Sequence, residues 1–179
     1  AQELLPEDVT KTGDRLSYGP KVYITTGILY AMELRQPIQQ LHEVSRLALE
    51  WVRWAEGVPG AKLSSTVFRA IARRFWGSEL AADFSTYEGK ALAAKMIQDR
   101  ELAKESLILC DLAWPIEYVE HSPDHVGDPS LESHVFSAIT GREMTEEGLY
   151  HVGERVFNLQ RAILAREGHS GRLHDTLPE

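Results

Sequence analysis

TEEGLYHVGERVFNLQRAILAREG, residues 145–168, carries a clear signal of secondary structure. Its apolar residues recur in steps of three and four, which places them on one face of an α-helix. They are Leu149, Val152, Val156, Leu159 and Ile163. Thr145 is a residue type that caps a helix N-terminus, and the two glutamates after it suit the first turn. Arg166 and Gly168 are typical of a helix end, so the stretch predicts one long amphipathic helix.

The same spacing recurs through the rest of the chain, and no segment alternates as a half-buried strand does. It predicts further helices over 20–32, 66–76, 87–112 and 130–140, and one that begins at 38 and ends at Gly57. Residues 78–86, which follow the helix-ending Gly77, and the Pro-containing residues 115–129 are predicted to be loops. The sequence therefore predicts an all-α fold, an irregular helical domain over residues 20–179. The polar segment 1–19 is expected to be a connector.

Composition excludes several classes of protein. The 179 residues are 43% hydrophobic and 26% charged, with a formal net charge of -8. This charge disfavours nonspecific binding to nucleic acid or to an anionic membrane surface. No stretch approaches the ~20 apolar residues that cross a bilayer, and the acidic N-terminus is unlike a signal peptide. We expect a cytoplasmic protein. The chain begins at Ala1 without a methionine and stops within a Pro-containing segment, so we also expect a fragment of a longer parent.

Familiar catalytic motifs fail when they are read in full. The segment His42-Glu43 starts like the helical zinc-protease motif, but Arg46 stands where the second histidine belongs. His121 and His125 have a ligand-like spacing, yet Pro123 between them makes a continuous helix unfavourable. A histidine-dependent metal hydrolase would need further ligands that the sequence does not offer. The single cysteine, Cys110, taken alone is most often an inert core residue.

Three groups of residues, read in order, resemble the tungsten-containing aldehyde:ferredoxin oxidoreductase family. The first group is YEGK at 87–90, QD at 98–99 and ESLILC at 105–110. The second is SAITG at 137–141 with TEE at 145–147. The third is GERVFNLQR at 153–161, REG at 166–168 and DTLP at 175–178, with His174 in place of the family's first aspartate. The resemblance covers about residues 20–179.

The resemblance implies a C-terminal helical domain and two cofactors. Family members hold a tungsten bis-pterin of the molybdopterin type beside a four-iron, four-sulfur cluster. Cys110 matches the fourth cluster cysteine, in a family box that reads D-x-x-G-L-C, and soft thiolates suit iron. The other three cysteines would lie elsewhere in the parent chain. We therefore expect both cofactors to be completed by parts of the parent, and the fragment alone to hold no cluster and to be inactive.

The same box contacts a pterin in the family. Glu105 stands at the family's aspartate, and its carboxylate can accept hydrogen bonds from pterin amino and ring N–H groups. Leu109 is the matching second contact. Ile108 replaces the family's glycine, and a glycine lets backbone approach a ligand closely. The box is therefore expected to bind cofactor through Glu105, Leu109 and Cys110, with altered contacts at Ile108.

A catalytic histidine is also implied by the resemblance. The family carries a histidine near tungsten in an R-x-x-C-H setting, whereas here Arg35 is followed only at a longer interval by His42. His42 is the candidate for a proton donor to the metal's oxo group or to the substrate oxygen. The alternative is an ordinary polar or core histidine.

The function implied is oxidation of an aldehyde to a carboxylic acid, with electrons passed through the cluster to ferredoxin or an electron-transfer subunit. The expected partners are that acceptor, the remainder of the parent chain and a small-molecule substrate. One alternative inside the family is the tungsten subunit of an aryl-CoA reductase of the benzoyl-CoA type. An alternative outside it is a helical interaction domain that lost the cofactor.

Overall fold

The computed structural model describes residues 8–9, 15–16, 24–32, 43–109, 116–169 and 171–176. The elements in this part of the chain are β1 (Asp8–Val9), β2 (Arg15–Leu16), α1 (Ile24–Met32), α2 (Glu43–Ala55), α3 (Ser65–Phe75), α4 (Lys90–Ser106), α5 (Leu131–Thr140) and α6 (Glu146–Arg166). Short 3₁₀ helices cover Glu79–Ala82 and Gly171–Leu173. The predicted all-α fold is confirmed. β1 and β2 form a small antiparallel pair within the segment expected to be a connector.

Helix starts and ends follow local chemistry where the sequence marks them. The Thr145 side chain accepts a hydrogen bond of 3.0 Å from the main-chain N–H of Gly148, which confirms it as the cap of α6. Ser64 caps α3 in the same way. Gly141 ends α5 with φ 68°, a left-handed conformation that glycine adopts without steric cost. None of the helices in the described ranges is long and apolar enough to cross a membrane.

Two predicted boundaries are wrong. The helix expected over 87–112 is α4, which begins at Lys90 after the left-handed Gly89 and ends at Ser106. Its apolar pattern continues through residues 107–109, but the chain turns there. The predicted loop 78–86 contains a 3₁₀ helix. Within the predicted loop 115–129, Tyr118 pairs with Val126 across a short antiparallel bridge.

The core is centred on α3. Phe68, Ile71, Phe75 and Trp76 are almost completely buried, and they pack with alanines and Ile97 of α4. Around Phe68 the aromatic rings of Trp51, Phe84 and Trp76 lie 5.8–6.2 Å away, two stacked and one edge-on. This packing holds one face of α4 against the core. α6 covers another face of α4.

Candidate functional site

The C-terminal end of α4 carries the residues that the sequence singled out as a cofactor box. The Ile108 N–H donates a hydrogen bond of 2.9 Å to the Glu105 carbonyl, and the Leu109 N–H donates one of 3.0 Å to the Lys104 carbonyl. These two bonds form a Schellman motif, which satisfies carbonyls that a helix end would otherwise leave unpaired. Glu105 and Leu109 are both half-buried and lie in this one turn.

Ile108 is an outlier within the turn. It has φ 60°, in the left-handed region, where the motif normally places glycine. A β-branched residue in this region is strained, by roughly 1–2 kcal/mol. Its side chain is 92% exposed. The main chain thus adopts a left-handed conformation that glycine favours, although the residue is isoleucine.

Two of the predicted site residues, His42 and Cys110, lie outside the described residues. The helix α2 begins at Glu43, directly after His42, and Leu109 is the last described residue before Cys110. Their predicted roles stay predictions. Within the described ranges, no three His, Cys, Asp or Glu side chains are grouped so that they could hold a metal ion.

A buried charge network, which the sequence pattern did not predict, lies one to two turns before this site. Arg100 donates from Nη1 to Glu117 at 3.0 Å and from Nη2 to Glu132 at 2.8 Å. Lys104 donates to Glu101 at 3.0 Å. All five side chains are buried, and the Arg100 guanidinium lies over the Phe75 ring at 5.2 Å. The network ties α4 to α5 and to the segment that begins at 116.

The pattern of α4 contained a signal for this burial. Arg100, Glu101 and Lys104 lie at spacings that share a helix side with Ala93 and Ala94, and small residues permit close approach of other elements. The apolar residue Leu92, which the periodicity assigned to the buried face, is instead half-exposed. The Arg100 partners are 17 and 32 residues away in sequence, so helical periodicity could not identify them.

The YEGK group has a structural role. The Lys90 ammonium is buried and donates to the carbonyls of Leu80 at 2.5 Å and Asp83 at 2.6 Å. Burial lowers the pKa of Lys90, and the Asp83 charge opposes this shift. Gly89 has φ 76°, and a methyl group there would crowd Leu80. Lys90 and Gly89 therefore hold the 3₁₀ helix and the loop after it against the start of α4.

The GERVFNLQR group brings α4 and α6 together. Gly153 is buried, and a methyl group on it would overlap the Asp99 carbonyl oxygen. Beside this crossing, Lys95 donates to Asp99 at 2.5 Å and lies 3.6 Å from Glu154. Burial raises the pKa of the Asp99 carboxyl, and the Lys95 hydrogen bond opposes the shift. The glycine of this group is thus required for close helix packing.

The segment after α6 is held against that helix by an ion pair. Arg161 donates two hydrogen bonds to the Asp175 carboxylate, at 2.6 and 2.8 Å, and His169 lies 3.1 Å from the same carboxylate. The Arg161 hydrogen bonds are the main cause that lowers the pKa of Asp175 to about 2. His174, which stands where the family has aspartate, lies with its ring 4.7 Å from that of His169. The DTLP group therefore begins at Asp175, whose ion pair with Arg161 holds this segment against α6.

Comparison with known proteins identifies the family. A family model described as aldehyde ferredoxin oxidoreductase, domains 2 & 3, matches residues 16–179. No solved structure matches the chain. The matched range includes the turn after α4, the α4–α6 crossing and the Arg161–Asp175 ion pair, so it spans all three groups of family-like residues. The chain therefore belongs to the aldehyde ferredoxin oxidoreductase family.

Proposed function

We propose that this chain is the C-terminal part of a tungsten-pterin, iron–sulfur oxidoreductase that oxidises aldehydes to carboxylic acids. The observation that supports the proposal is the turn after α4, where Ile108 has a left-handed backbone conformation that favours glycine and stands at the glycine position of the family's box. The match of the family model to residues 16–179 supports it. When bound, the tungsten-pterin group supplies the two-electron redox chemistry and the cluster carries electrons away singly.

The end of α4 fits a pterin contact made by side chains. The half-buried Glu105 carboxylate is an acceptor for the N–H groups of a pterin, and Leu109 offers an apolar surface in the same turn. The N–H groups of Ile108 and Leu109 are already used within the Schellman motif. The Ile108 side chain also occupies the room that glycine would leave for a close main-chain approach. Glu105 and Leu109 would therefore hold the group through side chains.

Cys110 is proposed as one thiolate ligand of the four-iron cluster. It is the chain's only cysteine, and a cubane of this kind takes four thiolates. The remaining three ligands would come from another part of the parent protein. Because the cluster would then bridge two parts of one protein, this chain alone is expected to bind no complete cluster.

His42 is proposed to hold or donate a proton near the substrate oxygen. An imidazole changes its charge near neutral pH, which suits a group that exchanges protons with an aldehyde-derived oxygen. The oxidation of an aldehyde with water to a carboxylate releases two electrons and three protons, so a proton-handling residue is needed as well as an electron acceptor. Ferredoxin or an electron-transfer subunit is the proposed acceptor.

Iron analysis of the full-length parent tests the proposal. Cys110→Ala should lose iron and block electron transfer, whereas truncation of a merely buried cysteine should cost about 1 kcal/mol of stability and leave iron unchanged. His42→Asn serves as the matched control, because it should keep tungsten and iron while lowering kcat by about 10²- to 10⁴-fold. Unchanged iron and normal turnover in Cys110→Ala would remove the cluster role. A parent purified without tungsten or pterin would favour the interaction-domain alternative.

A further inference from the structure

The helix α6 carries an exposed surface that the rest of the described chain leaves open. Of the apolar residues that the sequence places on one face of α6, Leu149 is buried, whereas Leu159 and Ile163 are 64% and 49% exposed. Two exposed arginines lie on the same side, because steps of three and four residues return to one face of a helix. We call this surface the α6 stripe, and its residues are Arg155, Leu159, Ile163 and Arg166. At about 1.5 Å per residue it is about 16 Å long.

The segment after α6 covers the opposite side of the helix. Asp175 accepts two hydrogen bonds from Arg161, and Arg161 is two residues away from both Leu159 and Ile163. Two residues correspond to a rotation of about 200° around a helix, so this ion pair lies opposite the α6 stripe. The ion pair therefore holds the segment away from the stripe.

Both ends of the α6 stripe are positively charged. Within the described ranges, neither Arg155 nor Arg166 has an ion pair, although the chain has 27 Asp and Glu residues and 19 Lys and Arg residues. Two guanidinium groups around an apolar centre are complementary to a protein surface that presents carboxylates around an apolar centre. The formal net charge of -8 repels such a surface from the rest of the chain, so the stripe also determines its orientation.

The composition of the α6 stripe indicates a transient partner. Permanent interfaces are large and resemble a domain core, whereas weak electron-transfer complexes bury little surface, and charge steers the encounter of their partners. Two apolar side chains between two arginines match the second kind. In addition, α6 packs against α4, and α4 ends at the turn that leads to Cys110, the proposed cluster ligand.

We propose that the α6 stripe is the docking surface for an acidic electron-carrier protein. In this complex the carboxylates of the carrier pair with Arg155 and Arg166, and its apolar patch covers Leu159 and Ile163. The inference rests on the proposed function, because the carrier receives the electrons that leave the aldehyde through the cluster. Each carrier molecule accepts one electron, so two are reduced for each aldehyde that is oxidised.

Steady-state kinetics of the full-length parent test the docking surface. The double variant Arg155→Glu/Arg166→Glu is compared with the wild type using two acceptors, an acidic two-iron ferredoxin and benzyl viologen, a small dye that needs no protein docking surface. At about 0.01 M ionic strength, where the Debye length is about 30 Å, the KM for the ferredoxin should rise about tenfold. The kinetics with benzyl viologen should not change. At about 0.15 M, where the Debye length is about 8 Å, the difference in KM should become smaller.

Two further variants separate the local contacts from the net charge. The double variant Arg69→Glu/Arg142→Glu changes the net charge by the same amount at exposed arginines outside α6, and it should raise the ferredoxin KM much less. Leu159→Ser removes an apolar contact and no charge. It should therefore raise the ferredoxin KM by a similar factor at both ionic strengths, since salt does not screen an apolar contact.

The possible failures are distinguishable. An unchanged ferredoxin KM in the stripe variant, or an equal rise in the Arg69→Glu/Arg142→Glu control, overturns the inference. Slower turnover with both acceptors together with a lower melting temperature shows that the remainder of the parent covers the stripe, and a smaller species in size-exclusion chromatography shows that a second copy does. Either result also overturns it. If the wild type oxidises no aldehyde with either acceptor, the proposed function falls and the inference falls with it.

Discussion

The main-chain N–H of Leu109 donates a 3.0 Å hydrogen bond to the carbonyl of Lys104, and this bond closes the turn in which Ile108 is left-handed. The turn ends α4 one residue after Ser106 and carries the chain toward Cys110. Because the bond is main chain to main chain, it depends on the backbone conformation of Ile108 and not on its side chain. Substitutions at Ile108 therefore test the strain directly.

Ile108→Gly is expected to stabilise this chain. Removing the left-handed penalty gains roughly 1–2 kcal/mol, and the extra freedom of glycine in the unfolded chain costs about 0.5–1 kcal/mol. The net expectation is about 0.5–1 kcal/mol in the free energy of unfolding, measured by urea denaturation. Ile139→Gly is the matched control, since Ile139 is 80% exposed but lies in α5, where glycine should destabilise by about 1 kcal/mol. If both variants changed the free energy of unfolding in the same direction, the strain argument would be contradicted.

Gly153→Ala is expected to destabilise the α4–α6 crossing. The added methyl would overlap the Asp99 carbonyl oxygen, and a main-chain atom in a helix cannot move aside cheaply. The cost should be about 2–3 kcal/mol or more in thermal or chemical unfolding. Gly148→Ala in the same helix is the control, because its methyl would meet only side-chain atoms of Met144 and Thr145. Gly148→Ala should leave the stability unchanged or raise it. If Gly148→Ala lost as much stability as Gly153→Ala, the contact at the α4–α6 crossing would not be the cause.

The existence of the helices was predictable because their signals are local. Thr145, the apolar steps after it and Gly168 lie within one segment, and α6 begins and ends where that segment predicts. The end of α4 was not predictable. Isoleucine at the turn continues the apolar pattern through residue 109, whereas a glycine at 108 would have marked a helix end.

The buried side of α4 was unpredictable for another reason. Charged residues are rarely fully buried without partners, and the partners of Arg100 come from α5 and from the segment that starts at 116. Only the tertiary structure brings them together. For the site itself, resemblance identified Glu105 and Leu109, and the structure gives them a common turn. His42 and Cys110 lie outside the described residues, so their roles remain predictions.

Lys90→Met is expected to loosen the segment 79–89. The substitution keeps much of the apolar stem but leaves the carbonyls of Leu80 and Asp83 without the ammonium that they bind. The loss of these hydrogen bonds from a charged donor should cost about 1–3 kcal/mol in stability. Lys62→Met is the control, because Lys62 is exposed and solvent screens its ion pair with Glu120, so its loss should change the stability less. The role of Lys90 would be refuted by a loss no larger than that of the control.

The ion pair between Arg161 and Asp175 should make stability depend on pH in the acid range. The folded-state pKa of Asp175 is lowered to about 2, below its value in an unfolded chain, mainly by the Arg161 hydrogen bonds. The pair therefore stabilises the fold above about pH 4, and this contribution disappears as the pH falls to about 2. Near the surface, solvent screening reduces the contribution to about 1–2 kcal/mol.

Asp175→Asn should be less stable than the wild type by this amount at pH 7, and the difference should vanish near pH 2. Arg161→Gln should behave alike, and the double variant should lose little more than either single one. Urea denaturation at pH 2 to 7 measures these differences, and one that stays constant over that range would show that the Asp175 charge is not their source.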